Sequence, residues 1–193
     1  VTMGIARVGF TLAVLLVLSL GVGLTVPLFP LRISPPFALP GAWEVAPVSV
    51  AGALAAGALA CLNNGGLSFI ALCALGGLIG RLIRALVILA GLDLINASLL
   101  GALCSSLIVI FIADWLRWPA VPASVMAALP MVPGYFAITG LHALLSFAGS
   151  TTADPAQLAS ALHALALAHF ISIALVVGVI GPVIILQRER ERV

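Results

Sequence analysis

The chain has 193 residues, of which 63% are hydrophobic and only 7% charged, and its mean hydropathy is +1.32. Charged residues usually make up about a quarter of a soluble domain, so a water-soluble monomer and a disordered chain are both excluded. A net charge of +2, from eight arginines, no lysine and six acids, is too small to gather a polyanion, which excludes a nucleic-acid binder.

A membrane helix needs about 20 apolar residues, and the chain reads as an all-α polytopic membrane bundle of about six spans. The first span covers about residues 8–30. A cleaved signal sequence is its alternative, disfavoured because the apolar run is long and no clear small-x-small site follows. The proline-rich stretch from Pro27 to Pro47 cannot run as a helix. Residues 1–47 thus form one unit, a helix and an external loop, and residues 48–193 a second unit of five helices. The second span covers about 48–62 and ends at the turn Asn63-Asn64-Gly65-Gly66. The third runs about 67–91, the fourth about 97–113, and Asp114 to Pro119 form a polar, aromatic break at an interface. The fifth covers about 122–148 and the sixth about 158–186, with a polar loop from Ser150 to Gln157 between them. Arg7, Arg117, Arg188, Arg190 and Arg192 fall on one side and Arg32 on the other, which predicts both termini inside.

Several features exceed the needs of a lipid-facing helix. Gly52 and Ala56, and Gly76 and Gly80, have the spacing of close helix packing, with Gly77 and Arg81 expected on the same side of the third span. Arg81 and Arg84 lie inside that span, three apart and so on one side. A cation there costs at least about 2.5–3.5 kcal/mol. Either the pair faces a watery path and meets an anionic group, or both side chains snorkel to the outer headgroups. Span five carries Leu129-Pro130-Met131-Val132-Pro133-Gly134-Tyr135. Two prolines and a glycine remove backbone donors and loosen the helix, and freed carbonyls in lipid need a protein interior or a wet cavity. Broken helices of this kind expose backbone to substrate in many transporters; a simple packing kink is the plainer alternative. Tyr135 and Thr139 follow four apart with hydroxyls near the break.

The remaining polar residues have bland readings. Ser105 and Ser106 are expected to bond back to their own helix. Asn63 and Asn64 are expected to form a turn, with a place at a pore mouth as the alternative. His142, His163 and His169 are expected to pack or sit at an interface, with a proton-carrying role in antiport as the alternative. Cys61, Cys73 and Cys104 lie in apolar stretches without metal-ligand spacing. No metal or cofactor is implied. No nucleophile elbow, His-Glu-x-x-His or phosphate loop occurs, so no enzyme is expected.

The segment Cys73 to Gly80, with Arg84 and Gly91-Leu92 after it, resembles the threonine/serine exporter family, in the small-subunit or C-terminal-half type. Leu129 to Gly134, with Ala137 and Thr139, resembles that family's proline–glycine signature in the corresponding span. The resemblance covers about residues 48–193, and the first span has no counterpart in it. It implies a multi-pass bacterial inner-membrane protein that exports small polar metabolites: threonine and serine, or a dicarboxylate such as succinate. It also implies a partner, a larger subunit of about five spans, with self-association a further expectation. Gly80, Arg84, Pro130, Pro133 and Gly134 carry over as motif positions. Arg81 stands where relatives can carry a histidine, and the added charge favours an anionic substrate. The expected mechanism is ion-coupled alternating access. The substrate would meet Arg84, Arg81 and the backbone from Pro130 to Gly134, with Tyr135 and Thr139 beside them, while Gly76 and Gly80 pack helices. The competing expectation is a scaffold that stabilises the larger subunit without touching substrate.

Overall fold

A computed structural model describes residue 43, residues 45–149 and residues 154–190, with side chains described through residue 186. The predicted first span, the proline-rich stretch before residue 43, the first half of the Ser150–Gln157 loop and the arginine side chains after residue 186 lie outside the described residues or side chains.

Six α-helices make up the described residues: α1 (Val45–Leu62), α2 (Leu67–Leu89), α3 (Leu94–Trp115), α4 (Ala120–Ala128), α5 (Gly134–Gly149) and α6 (Pro155–Arg190). A single 3-10 turn, Leu129–Met131, follows α4. Helices α1, α2, α3 and α6 are each long and apolar enough to cross a membrane. Helix α4 with its 3-10 turn, and α5, together make a fifth candidate span bent by 50°. Four to five candidate spans are therefore found among the described residues, and the sixth expected span is the first one, outside them.

Local chemistry sets the helix ends. The helix α1 begins at Val45, three residues earlier than expected, and Pro47 lies in its first turn, where an amide would be unpaired anyway. It ends as Asn64 turns left-handed at φ 57° and the Gly65 amide donates to the Ala60 carbonyl at 3.0 Å. Beyond α2, Gly91 takes φ +89°, a conformation that favours glycine. Asp93 then caps α3 by accepting the Asn96 amide at 3.2 Å. Asp154 plays the same part for α6, accepting the Ala156 amide at 2.9 Å.

Helix α2 packs between α1 and α3, α3 between α2 and α6, and α5 against α6, while α4 lies across α2 and α3. Small residues make these approaches possible, as expected where lipid leaves no hydrophobic drive between helices. Two neighbouring rows of α2 serve different partners. Gly77 faces Ala56 and the Gly52 carbonyl of α1, and the stem of Arg81 continues that row against Gly52. Gly76 and Gly80 instead face Ser105, Val109 and Gly101 of α3. The expectation of one shared side is corrected: a one-residue step turns a helix by about 100°, enough to address a second neighbour.

The serines also depart from expectation. Ser105 donates from Oγ to the Gly76 carbonyl of α2 at 2.8 Å, and Ser106 to the Val179 carbonyl of α6 at 3.1 Å. Both are fully buried between helices, where a neighbour's carbonyl is as near as their own. Ser49, Ser98, Ser124 and Ser172 do bond back within their helices.

Candidate functional site around the broken span

The interruption of the fifth span follows from its prolines. Val132 precedes Pro133, whose ring pushes the preceding residue out of the helical region, and Val132 accordingly sits at φ −56°, ψ 133°. Leu129 precedes Pro130 yet stays helical at φ −52°, ψ −38°. The helix therefore tightens into a 3-10 turn at the first proline and parts at the second. The Val132 amide donates back to Leu129 at 3.1 Å and the Gly134 amide to Val132 at 2.8 Å, after which α5 begins. The carbonyls of Pro130 and Met131 face α2.

Those carbonyls meet the two arginines of α2. Arg81 donates from Nη2 to the Pro130 carbonyl at 2.6 Å, and Arg84 from Nη1 to the Met131 carbonyl at 3.0 Å. Arg84 is buried, 8% exposed, and Arg81 half-buried. They lie 14 and 17 residues past Leu67, or about 21 and 26 Å along α2. Both side chains turn to the carbonyls of the interrupted helix. Hydrogen bonds to charged groups are worth about 1.5–3 kcal/mol each, comparable to the cost of placing the cation in the membrane, so the bonds hold the guanidiniums inward. Between residues 45 and 186 the acids are Asp93, Asp114 and Asp154, all at helix ends. Among the described residues the cations thus face backbone dipoles instead of carboxylates. Arg81 Nε is buried and has no hydrogen-bond partner among the described residues.

Met131 closes the junction. It is fully buried, and its thioether fits a notch made by two glycines. A Cβ on Gly80 would stand 2.7 Å from Met131 Cε, and one on Gly101 3.3 Å from Met131 Sδ. Ser105 lies beside them, 3.1 Å from a Cβ at Gly80. Sequence reading missed Met131, Gly101 and Ser105 as members of this junction. The four-residue spacing of Gly101 and Ser105, facing that of Gly76 and Gly80, was the available signal.

Of the anticipated residues, Arg81, Arg84 and Pro130 come together directly, with Gly76 and Gly80 packing behind them. Pro133 is buried and Gly134 half-buried, with open space where a Cβ would be. Tyr135 is exposed, its ring edge-on to Phe136 at 5.8 Å, and Thr139 is half-buried. His142, His163 and His169 are exposed. A cavity of about 270 Å³ opens between the end of α3 and α6, lined by Asp114, Trp118 and Leu186 among others. It lies about 20 Å along α3 from Gly101 and does not include the arginines. The arginine junction itself is packed, not an open crevice.

A family model described as Threonine/Serine exporter, ThrE, matches residues 48–185, well over half of the chain. The chain belongs to the threonine/serine exporter family. The match runs from the first turn of α1 almost to the end of α6 and so takes in both sides of the arginine junction. ThrE is a transporter family, not an enzyme family, and its assignment makes the chain a multi-pass membrane protein with an exporter domain. Comparison with curated proteins and with solved structures gives no match.

Proposed function

We propose that this chain is the smaller part of an ion-coupled secondary exporter in the bacterial inner membrane, with both termini inside and a larger subunit of the same family as its partner. The cargo is a small polar metabolite that carries a carboxylate: threonine, serine or a dicarboxylate such as succinate. One observation carries this reading. The guanidiniums of buried Arg84 and half-buried Arg81 converge on the carbonyls at the break between α4 and α5, and the acids between residues 45 and 186 stand at helix ends instead of beside them. Charge and backbone carbonyls freed from helix bonding at one interior point are what a polar cargo needs in order to leave water. Alternating access then consists of rearrangement of the bent pair α4–α5 against α2 and α3.

The test is efflux from cells loaded with a panel of amino acids and dicarboxylates, with both subunits expressed. Arg84→Ala removes one charged hydrogen bond and should slow efflux of the transported compound by about 10- to 100-fold at equal protein level. Unchanged efflux would take Arg84 out of the transport path and leave a scaffold role for this chain.

A further inference from the structure

We infer that the contact between Arg81 and Pro130 is a latch opened by carboxylate-for-carbonyl exchange, and that Met131 is the gate it holds shut. The inference rests on the exporter reading above. Its basis is the division of Arg81's donors. A guanidinium binds a carboxylate best through two parallel N–H groups on one edge. On Arg81, Nε and Nη2 form such an edge. Nη2 donates to the Pro130 carbonyl, and Nε, on that same edge, is buried without a partner among the described residues. A carboxylate that reached this edge would satisfy Nε and compete, as a charged acceptor, with the Pro130 carbonyl for Nη2. The latch is thus half-satisfied at rest, and an anion makes the better partner.

The consequence of release follows from the chain. Pro130 and Met131 belong to one 3-10 turn. Their two carbonyls are tied to Arg81 and Arg84, and the Met131 side chain fills the Gly80–Gly101 notch between α2 and α3. Loss of the first tie leaves the turn held by Arg84 and by the thioether's packing. Methionine is unbranched and adaptable, so it withdraws without disturbing the two glycines. The stem of Arg81 packs so closely on Gly52 of α1 that a Cβ there would collide with it. The arginine is therefore the fixed post and the turn the moving part.

The experiment places one cysteine at the gate, Met131→Cys, in the full chain with Cys61, Cys73 and Cys104 replaced by alanine. The protein is reconstituted in phosphatidylcholine vesicles, which carry no net anionic headgroup, so that a soluble carboxylate is the only anion source tested. The rate of labelling by a membrane-impermeant maleimide is read with and without succinate or threonine. Saturating carboxylate should raise the rate by about tenfold, the factor for about 1.4 kcal/mol of latch energy, and Arg81→Gln should raise it similarly with no carboxylate present. Labelling that neither carboxylate nor Arg81→Gln accelerates, in protein that elutes as a folded bundle, would overturn the latch. Should Arg81→Gln not fold, the carboxylate response of the Arg81 protein decides alone. If efflux depends on Arg84 while labelling at position 131 stays constant, the gate fails and the exporter reading stands; if neither responds, both fail.

Discussion

Gly77 and Ser105 show how unequal two interior contacts can be. A Cβ at Gly77 would stand 2.7 Å from the Gly52 carbonyl and 2.6 Å from Ala56 Cβ. Backbone cannot swing aside as a side-chain tip can, so Gly77→Ala should cost about 1–3 kcal/mol through overpacking, seen as a lower thermal midpoint in detergent. Ser105→Ala removes a hydroxyl's bond to the Gly76 carbonyl. Such interhelical bonds average only about 0.6 kcal/mol in a membrane protein, and the small side chain leaves little void. The glycine variant should therefore be clearly the less stable of the two. Equal midpoints would mean that α1 moves away from α2 at little cost. The arginines belong to this scale as well. Their positions on one side of a span were legible from spacing alone, but the choice between snorkelling and an inward partner was not. It depends on carbonyls 49 and 47 residues further along the chain, which no local pattern reports.

At the scale of elements, the bend of the fifth span is assigned to Pro133. Pro133→Ala lifts the steric restriction on Val132 and restores an amide donor, so the 50° bend should relax. Spin labels at Val121 and Leu145, both exposed on the outer surface, should then move further apart. An unchanged separation would show that tertiary contacts hold the bend. The sequence announced a weak point over 129–134 and could not say which proline would part the helix, because Leu129 and Val132 both precede a proline and only one left the helical region. The Asp93 cap gives a pH prediction. The Asn96 backbone amide, helped by the Asn96 side chain, holds the Asp93 carboxyl below the usual carboxylate range. A lowered folded value means that the cap's contribution is fully present above the unfolded value of about 3.9 and is lost as pH falls through the folded one. Hydrogen exchange at the Asn96 amide checks this. Asp93→Asn and the native protein should differ less at acid pH than at neutral pH, after correction for intrinsic rates.

For the whole molecule, apolar composition and the length of the hydrophobic runs made the membrane class and the helix sequence readable, with boundaries shifted by two or three residues at most of the ends. Which helices touch was not readable. Small-residue pairs occur on α1, α2 and α3 alike, and their partners are settled by the packing of the bundle, as the split between Gly77 and the Gly76–Gly80 row shows. The family match gives the chain its class of function, and the junction of α2 with the broken span is where we place that function. If cargo passes there, the start of α5 must be wetted from the aqueous phase. Gly134 is half-buried with open space beside it, whereas Ile180 is exposed on the outer surface of α6. In the partner-containing complex, with native cysteines replaced, Gly134→Cys should react with a water-soluble thiol reagent and be protected by transported substrate, while Ile180→Cys stays unreactive. A Gly134→Cys thiol that does not react, or that reacts as slowly as the Ile180→Cys thiol with and without substrate, would contradict a path through the arginine junction.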